Sequence, residues 1–537
     1  MTARLALTRL LASLAFLLTA WVGVWAAYDR VVAQEKFVLL CAGIAFAHTI
    51  EWLSWRNAKT VLGIVGLGCT VLAGALGVII LLTRPTHADR AASALVILLP
   101  LGVCAIVWAY AYRYWPVVIV ASFALGIALV ALLFTWERSA WLALVIGIVG
   151  GTAIWRCTVK ETQIRSILHW FFVIGSILAC LAVVTILVLP SISGWVIIAN
   201  IVGSVWSRLY LWQDSLVLIQ DYFFSGSGLD MMAMVYSSYV LLQNVPYHYH
   251  VHNLFLQIAI EQGAPGLLAF LTMVAVSSWS LVKVAHNLRG TQRMLWFVAV
   301  VTWVAFLFHG LLDSELYASK FVPLLFLPFG ISGAVASLQT APKPAFAQVA
   351  QVPGRHLLVT SVTGAALIAA ASFLMTRPFA QAAFQANLGA VAQTRAELAV
   401  YQWPEWAIQD EVRRAHSASL ALAINYYHQA LALNPNNSTA HRRLGQIELS
   451  LGNYEAAHQH LEVAFASTPN QRVVYQLLGE AYAVTGHVEE AATLWVSRRA
   501  FVNPLYVRYW WYDHIGAQQQ ALWLQESINM ALGMVGP

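Results

Sequence analysis

Apolar and polar positions do not alternate finely along most of this chain; they come in blocks. Apolar runs lie near residues 6 to 28, 36 to 53, 61 to 83, 91 to 112, 114 to 135, 139 to 155, 167 to 190, 254 to 282, 294 to 312, 317 to 340 and 356 to 376. Most are about 20 residues long, enough to cross a hydrocarbon core of roughly 30 Å. The pattern predicts an all-α fold: a polytopic helical membrane protein with about eleven spans, and an uncleaved first helix in place of a removable leader. Residues 1–376 form the membrane domain, interrupted by one large polar loop, 191–253.

After Thr376 the pattern changes, and Asn, Gln, His, Glu and Arg become common. This tail, 377–537, carries a second period. His441/Tyr475, Leu444/Leu478, Gly445/Gly479, Gly452/Gly486, Ala457/Ala491 and Leu461/Trp495 each stand 34 residues apart. That is the tetratricopeptide spacing, with small residues where paired helices touch and large ones between them. Ala423, Tyr427, Ala430 and Pro435 supply the second half of a preceding unit, so the repeats run from about 404 to 505 with flanking helices as caps. Such a stack either binds a protein in its concave face or braces the membrane domain.

Composition sharpens the membrane reading. Charged residues make up 10% of 537 residues, against 60% hydrophobic, which excludes an ordinary soluble domain. The net charge of +6 reflects loop Lys and Arg and carries no nucleic-acid signal. Thirteen basic residues (Arg4, Arg9, Arg56, Lys59, Arg113, Arg156, Lys160, Arg165, Lys283, Arg289, Arg293, Lys343, Arg355) fall on one side of the predicted topology, and six (Arg30, Lys36, Arg84, Arg90, Arg138, Lys320) on the other. The bias makes the N-terminus cytoplasmic and puts the large loop and the tail on the far side, which in a bacterium is the periplasm. All five cysteines sit in or beside apolar runs, so neither a disulfide framework nor a Cys-based zinc site is indicated.

Candidate chemistry concentrates in the large loop. From Val205 to Tyr222 an interfacial helix is predicted, rich in Trp, Tyr and Leu and interrupted by Arg208, Asp214 and Asp221. The Ser225-Gly226-Ser227-Gly228 stretch follows, either a phosphate-facing nest or, more commonly for such a sequence, a plain turn. His248, His250 and His252 then alternate before Asn253. In an extended segment this spacing puts three imidazoles on one face, a candidate general base; interfacial polar residues without chemistry fit equally well. The predicted topology brings Arg138, Arg208, these histidines, Asp313 and Glu315 to one membrane face.

These residues resemble the O-antigen ligase and Wzy-polymerase superfamily, and within it the bacterial protein O-oligosaccharyltransferases of the PglL type. The resemblance rests on Glu137-Arg138-Ser139-Ala140 opening a middle span, on Arg208, Trp212, Gly226 and Gly228 in the loop, on His250, His252, Asn253, Glu261 and Gly263, and on His309 with Asp313 four positions later. Two departures are Glu137, where the family usually has a small or hydroxyl residue, and Ser314-Glu315, where PglL-like sequences tend to have Tyr-Pro.

The resemblance implies a GT-C-like glycosyltransferase in the inner membrane, acting in the periplasm without metal or other cofactor. It implies transfer of an oligosaccharide from an undecaprenyl diphosphate donor to Ser or Thr hydroxyls of a periplasmic protein such as a pilin. The roles it implies are general base for His252, with His250 next and Asn253 and Glu261 orienting; diphosphate binding for Arg208 and Arg138; and support from His248, Trp212, His309 and Asp313. A single base and no covalent intermediate predict inversion at the anomeric carbon. The sibling readings are ligation of O-antigen to lipid A core and polymerisation of glycan repeats. A reading from another class is a transporter or scaffold in which His248, His250 and His252 hold a metal.

Overall fold

The computed structural model describes residues 2–83, 88–158, 194–339, 373, 375–402, 405–415, 418–498 and 503–535. The predicted span at 167–190 and most of that at 356–376 lie outside these residues. In the rest, every long apolar run is a helix, and among the described residues there is no strand. The membrane part comprises α1 (Thr2–Ala26), α2 (Arg30–Thr83), α3 (Ala88–Ala111), α4 (Trp115–Phe134), α5 (Arg138–Thr158), the loop helices α6 (Gly194–Asp221) and α7 (Met232–Tyr236), α8 (Leu254–Val284), α9 (Gly290–Leu312) and α10 (Leu327–Ala336). Eight helical stretches among the described residues are long and apolar enough to cross a membrane.

Two predicted spans, 36 to 53 and 61 to 83, are joined in α2. Its 54 residues would reach roughly 80 Å if straight, far beyond one bilayer. Asn57 alone leaves the helical region, with φ −154° and ψ 86°, and divides the helix in two. Lys36, counted from the sequence as a loop cation, is instead buried within α2. On the face opposite the large loop, Arg9 is buried and paired with Glu51, and donates a 2.6 Å hydrogen bond to Ser280 Oγ.

α8 explains how the loop is seated. Asn253 begins it in an extended conformation, and its side chain accepts from the backbone of Phe255 and Leu256, both at 3.0 Å, as an N-cap does. Further on, Pro265 lacks an N–H and Gly263 has φ 72°, so the helical ladder opens. The Ser225–Gly228 turn closes it: Ala264 donates to Phe223 O at 2.8 Å, and Ser227 N donates to Ile260 O at 2.7 Å. A Cβ on Gly226, itself at φ 71°, would stand 2.2 Å from Glu261 O. The turn is thus an interlock of two backbones, and an anion-binding role for it is not needed.

The tail continues as α11 (Pro378–Leu398), α12 (Gln409–Arg414), α13 (Ala421–Leu433), α14 (Ser438–Leu451), α15 (Tyr454–Ser467), α16 (Arg472–Val484), α17 (Val488–Ser497), α18 (Asn503–His514) and α19 (Gln518–Val535). The 34-residue period marks real contacts. Gly445 lies against Leu461 and Gly479 against Trp495, so that a Cβ on either would collide with the large partner. Tyr427 of α13 packs in the same way on Gly389 of α11, which places the first half of that unit upstream of residue 404.

Candidate active site

Ends of α3, α8 and α9, the middle of α6 and the connections after α4 and α9 meet at one face, and the polar residues collect there. Val251, fully buried, is pinned on both sides: Trp212 Nε1 donates to its carbonyl at 2.8 Å, and its own N–H donates to Gln257 Oε1 at 3.0 Å. With Asn253 fixed as the cap, and its amide donating to Leu311 O at 3.2 Å, His252 is held between two anchored residues. It takes φ 50°, so the extended run predicted for the histidines breaks there.

The three imidazoles do not share one face. His250 and His252 stand edge to face, with ring centres 4.2 Å apart. His248 packs instead against Tyr247 and Tyr236. Each of the close pair has a carboxylate from the turn after α9. His250 Nε2 lies 2.5 Å from Glu315 Oε2, and its Nδ1 lies 3.4 Å from Ser314 Oγ. His252 Nδ1 lies 3.5 Å from Asp313 Oδ2. Asp313 is itself fixed, since its Oδ1 accepts from Glu315 N at 2.6 Å.

The two dyads differ in what they leave free. Both nitrogens of His250 have partners. Burial alone would lower its pKa, but the Glu315 hydrogen bond and the charges of Asp313, Glu315 and Asp89 raise it. It is suited to carry a proton. His252, one-third exposed, has a carboxylate on Nδ1 only, and among the described residues nothing bonds to Nε2. That is the arrangement of an imidazole oriented by a carboxylate with its second nitrogen turned to a substrate. Burial would raise the Asp313 carboxyl, yet the His252 hydrogen bond and the charges of His309 and His250 hold it well below the usual range, so it stays ionised.

Of the predicted anion-binding arginines, only Arg208 has a defined place. It is half-buried, its Nη1 donates to Leu312 O at 3.1 Å at the end of α9, and no described carboxylate pairs with it. A cation at a helix C-terminus is favourable by itself. Its remaining donors are uncommitted among the described residues. Arg138, next to Glu137, is exposed and has no polar partner among them.

Glu261 requires a correction. It is fully buried, and its oxygens accept from Lys36 Nζ (2.8 and 3.0 Å), Asp230 N (2.9 Å) and Gln257 Nε2 (2.7 Å). An acceptor cannot reach it; it acts on the histidine loop at second hand, through Gln257 and Val251. Asn253 likewise serves as the cap, its side chain bonded to Phe255 N, Leu256 N and Leu311 O. His309 is buried in α9, lining a small cavity with Ser93, Asp313 and Ser314, and its Nε2 has no hydrogen-bond partner among the described residues.

Three residues at this face were given no role by the sequence reading. Glu315 was placed at the shared membrane face and noted as a departure from a motif, without a partner. Arg90, read as a loop cation, donates from Nε to Glu315 Oε1 at 2.8 Å. Glu137 is half-buried, and its carboxyl is raised by burial and by the nearby charges of Asp313 and Asp89. The predicted topology, which already put Glu315 there, could have added Arg90 and Glu137, because it puts them at the same face as the histidines.

The metal reading is narrowed as well. His250, His252 and Asp313 hold donor atoms within 4.8 Å of one another, enough to offer a cation three ligands. His248, expected among such ligands, is outside the group.

Comparison with known proteins agrees with this geometry. Residues 123–271, which include Arg138, α6, the turn and the three histidines, match the O-antigen ligase family model. Residues 417–481 match the tetratricopeptide repeat model. No curated protein gives a significant match to the chain. The helical membrane part, its histidine-bearing loop and the family match together give this chain an O-antigen ligase-type region at residues 123–271, with tetratricopeptide repeats in its tail.

Proposed function

We propose that the protein transfers an oligosaccharide from a polyprenyl diphosphate, undecaprenyl diphosphate in a bacterium, to a Ser or Thr hydroxyl of a periplasmic protein such as a pilin. The observation that carries this reading is His252: one nitrogen on a buried carboxylate, the other open, beside an arginine with uncommitted donors. The acceptor hydroxyl gives its proton to His252 Nε2 as its oxygen attacks C1 of the donor sugar. The bond from C1 to the diphosphate oxygen breaks on the opposite face, which inverts the anomeric carbon. Negative charge gathers on the departing diphosphate, and Arg208 stabilises it through charge-assisted hydrogen bonds. Asp313 holds the imidazole and offsets its positive charge as the proton arrives. The site lies on the periplasmic face of the inner membrane, with the N-terminus in the cytoplasm.

The joint presence of a catalytic membrane part and a repeat tail supports a protein acceptor. One observation favours the sibling reading, in which the acceptor is a lipid-linked or growing glycan: Arg442, Arg443 and Arg472 on the repeat stack are already paired with Asp221 and Asp214 of the loop.

The test supplies membranes containing the protein with lipid-linked glycan and either a panel of periplasmic proteins or core lipid. Glycan should appear on protein Ser or Thr with wild type and disappear with His252→Ala and with Arg208→Ala at equal membrane levels. Glycan only on lipid would overturn the acceptor assignment. Full activity of both variants would overturn the site.

A further inference from the structure

The tail meets the large loop through its inner surface. In a repeat stack the first helix of each pair lines the concave side; here these are α14 and α16. Arg442 and Arg443 of α14 both reach Asp221, the last residue of α6, Arg443 at 2.8 Å. Thr439 Oγ1 donates to the same carboxylate at 3.0 Å. Arg443 also donates to Tyr222 OH at 3.0 Å and lies 3.8 Å from the centre of the Tyr239 ring. Two guanidinium groups on one carboxylate leave an excess cation, and the aromatic faces take it up.

The capping helices add to this grip. Tyr239 OH donates to Glu397 Oε2 at 2.7 Å, and Arg413 holds both oxygens of Glu397, at 2.8 and 2.9 Å. Asn387 Oδ1 accepts from Phe224 N and Ser225 N. At the rim, Arg472 of α16 pairs with Asp214 at 2.8 Å. Arg442, Arg443, Glu397 and Tyr239 are all almost wholly buried, so no other protein reaches them.

The gripped segments carry the histidine loop. Trp212 of α6 holds Val251 O. Ser237 Oγ accepts from Tyr247 N at 3.0 Å, and the Tyr236 ring packs on His248. Both flanks of the loop, Tyr247 and Val251, therefore hang on segments that the tail encloses.

We infer that the repeat stack takes this chain's own loop as its ligand, through the contacts of Asp214, Asp221 and Tyr239 with α11, α14 and α16, and that it positions the histidines while the acceptor reaches them from outside the stack. Arg472 and Arg443 are positioning residues. The catalytic half of the inference rests on the function proposed above; the placement of the loop does not.

The test exchanges the rim pair in the full-length protein, embedded in lipid nanodiscs. Asp214→Arg and Arg472→Asp are made singly and together. Amide hydrogen exchange is followed over residues 243–252, and kcat and acceptor KM are measured with a short Ser peptide and with a folded acceptor. Each single variant should speed exchange in the loop and lower kcat about tenfold for both acceptors without changing KM, and the double exchange should restore both. A rise in KM confined to the folded acceptor, with loop exchange as in wild type, would overturn the inference and make the stack an acceptor cradle. Unchanged loop exchange in both single variants would overturn it as well. If wild type glycosylates nothing, the function reading fails, while loop exchange still decides whether the tail holds the loop.

Discussion

Two polar clusters lie on the same loop and are built on opposite terms. Around Asp221 the charges are sealed: Asp221, Arg442 and Arg443 are almost wholly buried, and tyrosine faces absorb the excess charge. Around His252 the contacts are long and incomplete, with Nδ1 3.5 Å from its carboxylate, one-third of the side chain exposed, and a left-handed backbone. The first arrangement suits holding and the second suits reacting, because a group with every bond already made has nothing to offer a substrate. Loss of a holding residue should therefore show in stability, and loss of a reacting residue in rate.

The sharpest version of this contrast is His252→Ala. Transfer should fall on the order of 10²- to 10⁴-fold, with the thermal midpoint of the detergent-purified protein unmoved. The mirror case is Asp221→Ala, which leaves two buried guanidinium groups without their carboxylate. A loss of about 3–5 kcal/mol is expected, read as a lower denaturant midpoint and as protease cleavage between α6 and the tail. A drop in rate with no drop in stability would place Asp221 in the chemistry and break the comparison.

Gly226→Ala tests the interlock, where a Cβ meets the Glu261 carbonyl in a left-handed conformation. About 1–3 kcal/mol should be lost, seen in the same unfolding assay.

A finer test is pH. The His250 pKa is raised above its usual 6.5, so its share of the loop's stability is full below 6.5 and fades as pH rises through the raised value. The Glu315 pKa would be raised by burial, but the His250 hydrogen bond, the His250 charge and the Arg90 hydrogen bond together lower it below 4.5; its share is full above 4.5 and fades as pH falls through the lowered value. The pair holds the loop best between about 4.5 and 6.5. Glu315→Gln should flatten the pH profile of amide exchange over residues 248–252.

The smallest effect belongs to Arg138→Ala. The arginine is exposed and without partners among the described residues, so a stability change within about 0.5 kcal/mol is expected by unfolding, with only a small change in rate. A large loss of transfer would restore it to the diphosphate site.

Much of the architecture was legible before any coordinates. Hydropathy placed the described spans within a few residues, except where Asn57 alone separates two of them and the helix runs on. Repeats were equally plain, because a glycine and its large partner must recur together for paired helices to close, as Gly445 with Leu461 and Gly479 with Trp495 do. The polar cluster around His252 was legible in kind and incomplete in detail. His252, Arg208 and Asp313 were named, whereas Glu261 was given a place beside the histidines although Lys36 claims it, and Arg90, Glu137 and Glu315 were left out of the candidate set.

By itself, then, the sequence determined what repeats or accumulates along the chain: apolar length, the 34-residue period, the topogenic charge bias and the concentration of histidine in one loop. These are properties of neighbouring residues, and burial in lipid or in a helix pair imposes them locally. Tertiary structure alone decided which carboxylate meets which cation. His250 finds Glu315, Lys36 finds Glu261 and Asp221 finds Arg442 and Arg443, across separations that no period records. Such pairs form where helix ends and loops are packed out of water, and an unpaired buried charge costs too much to remain there.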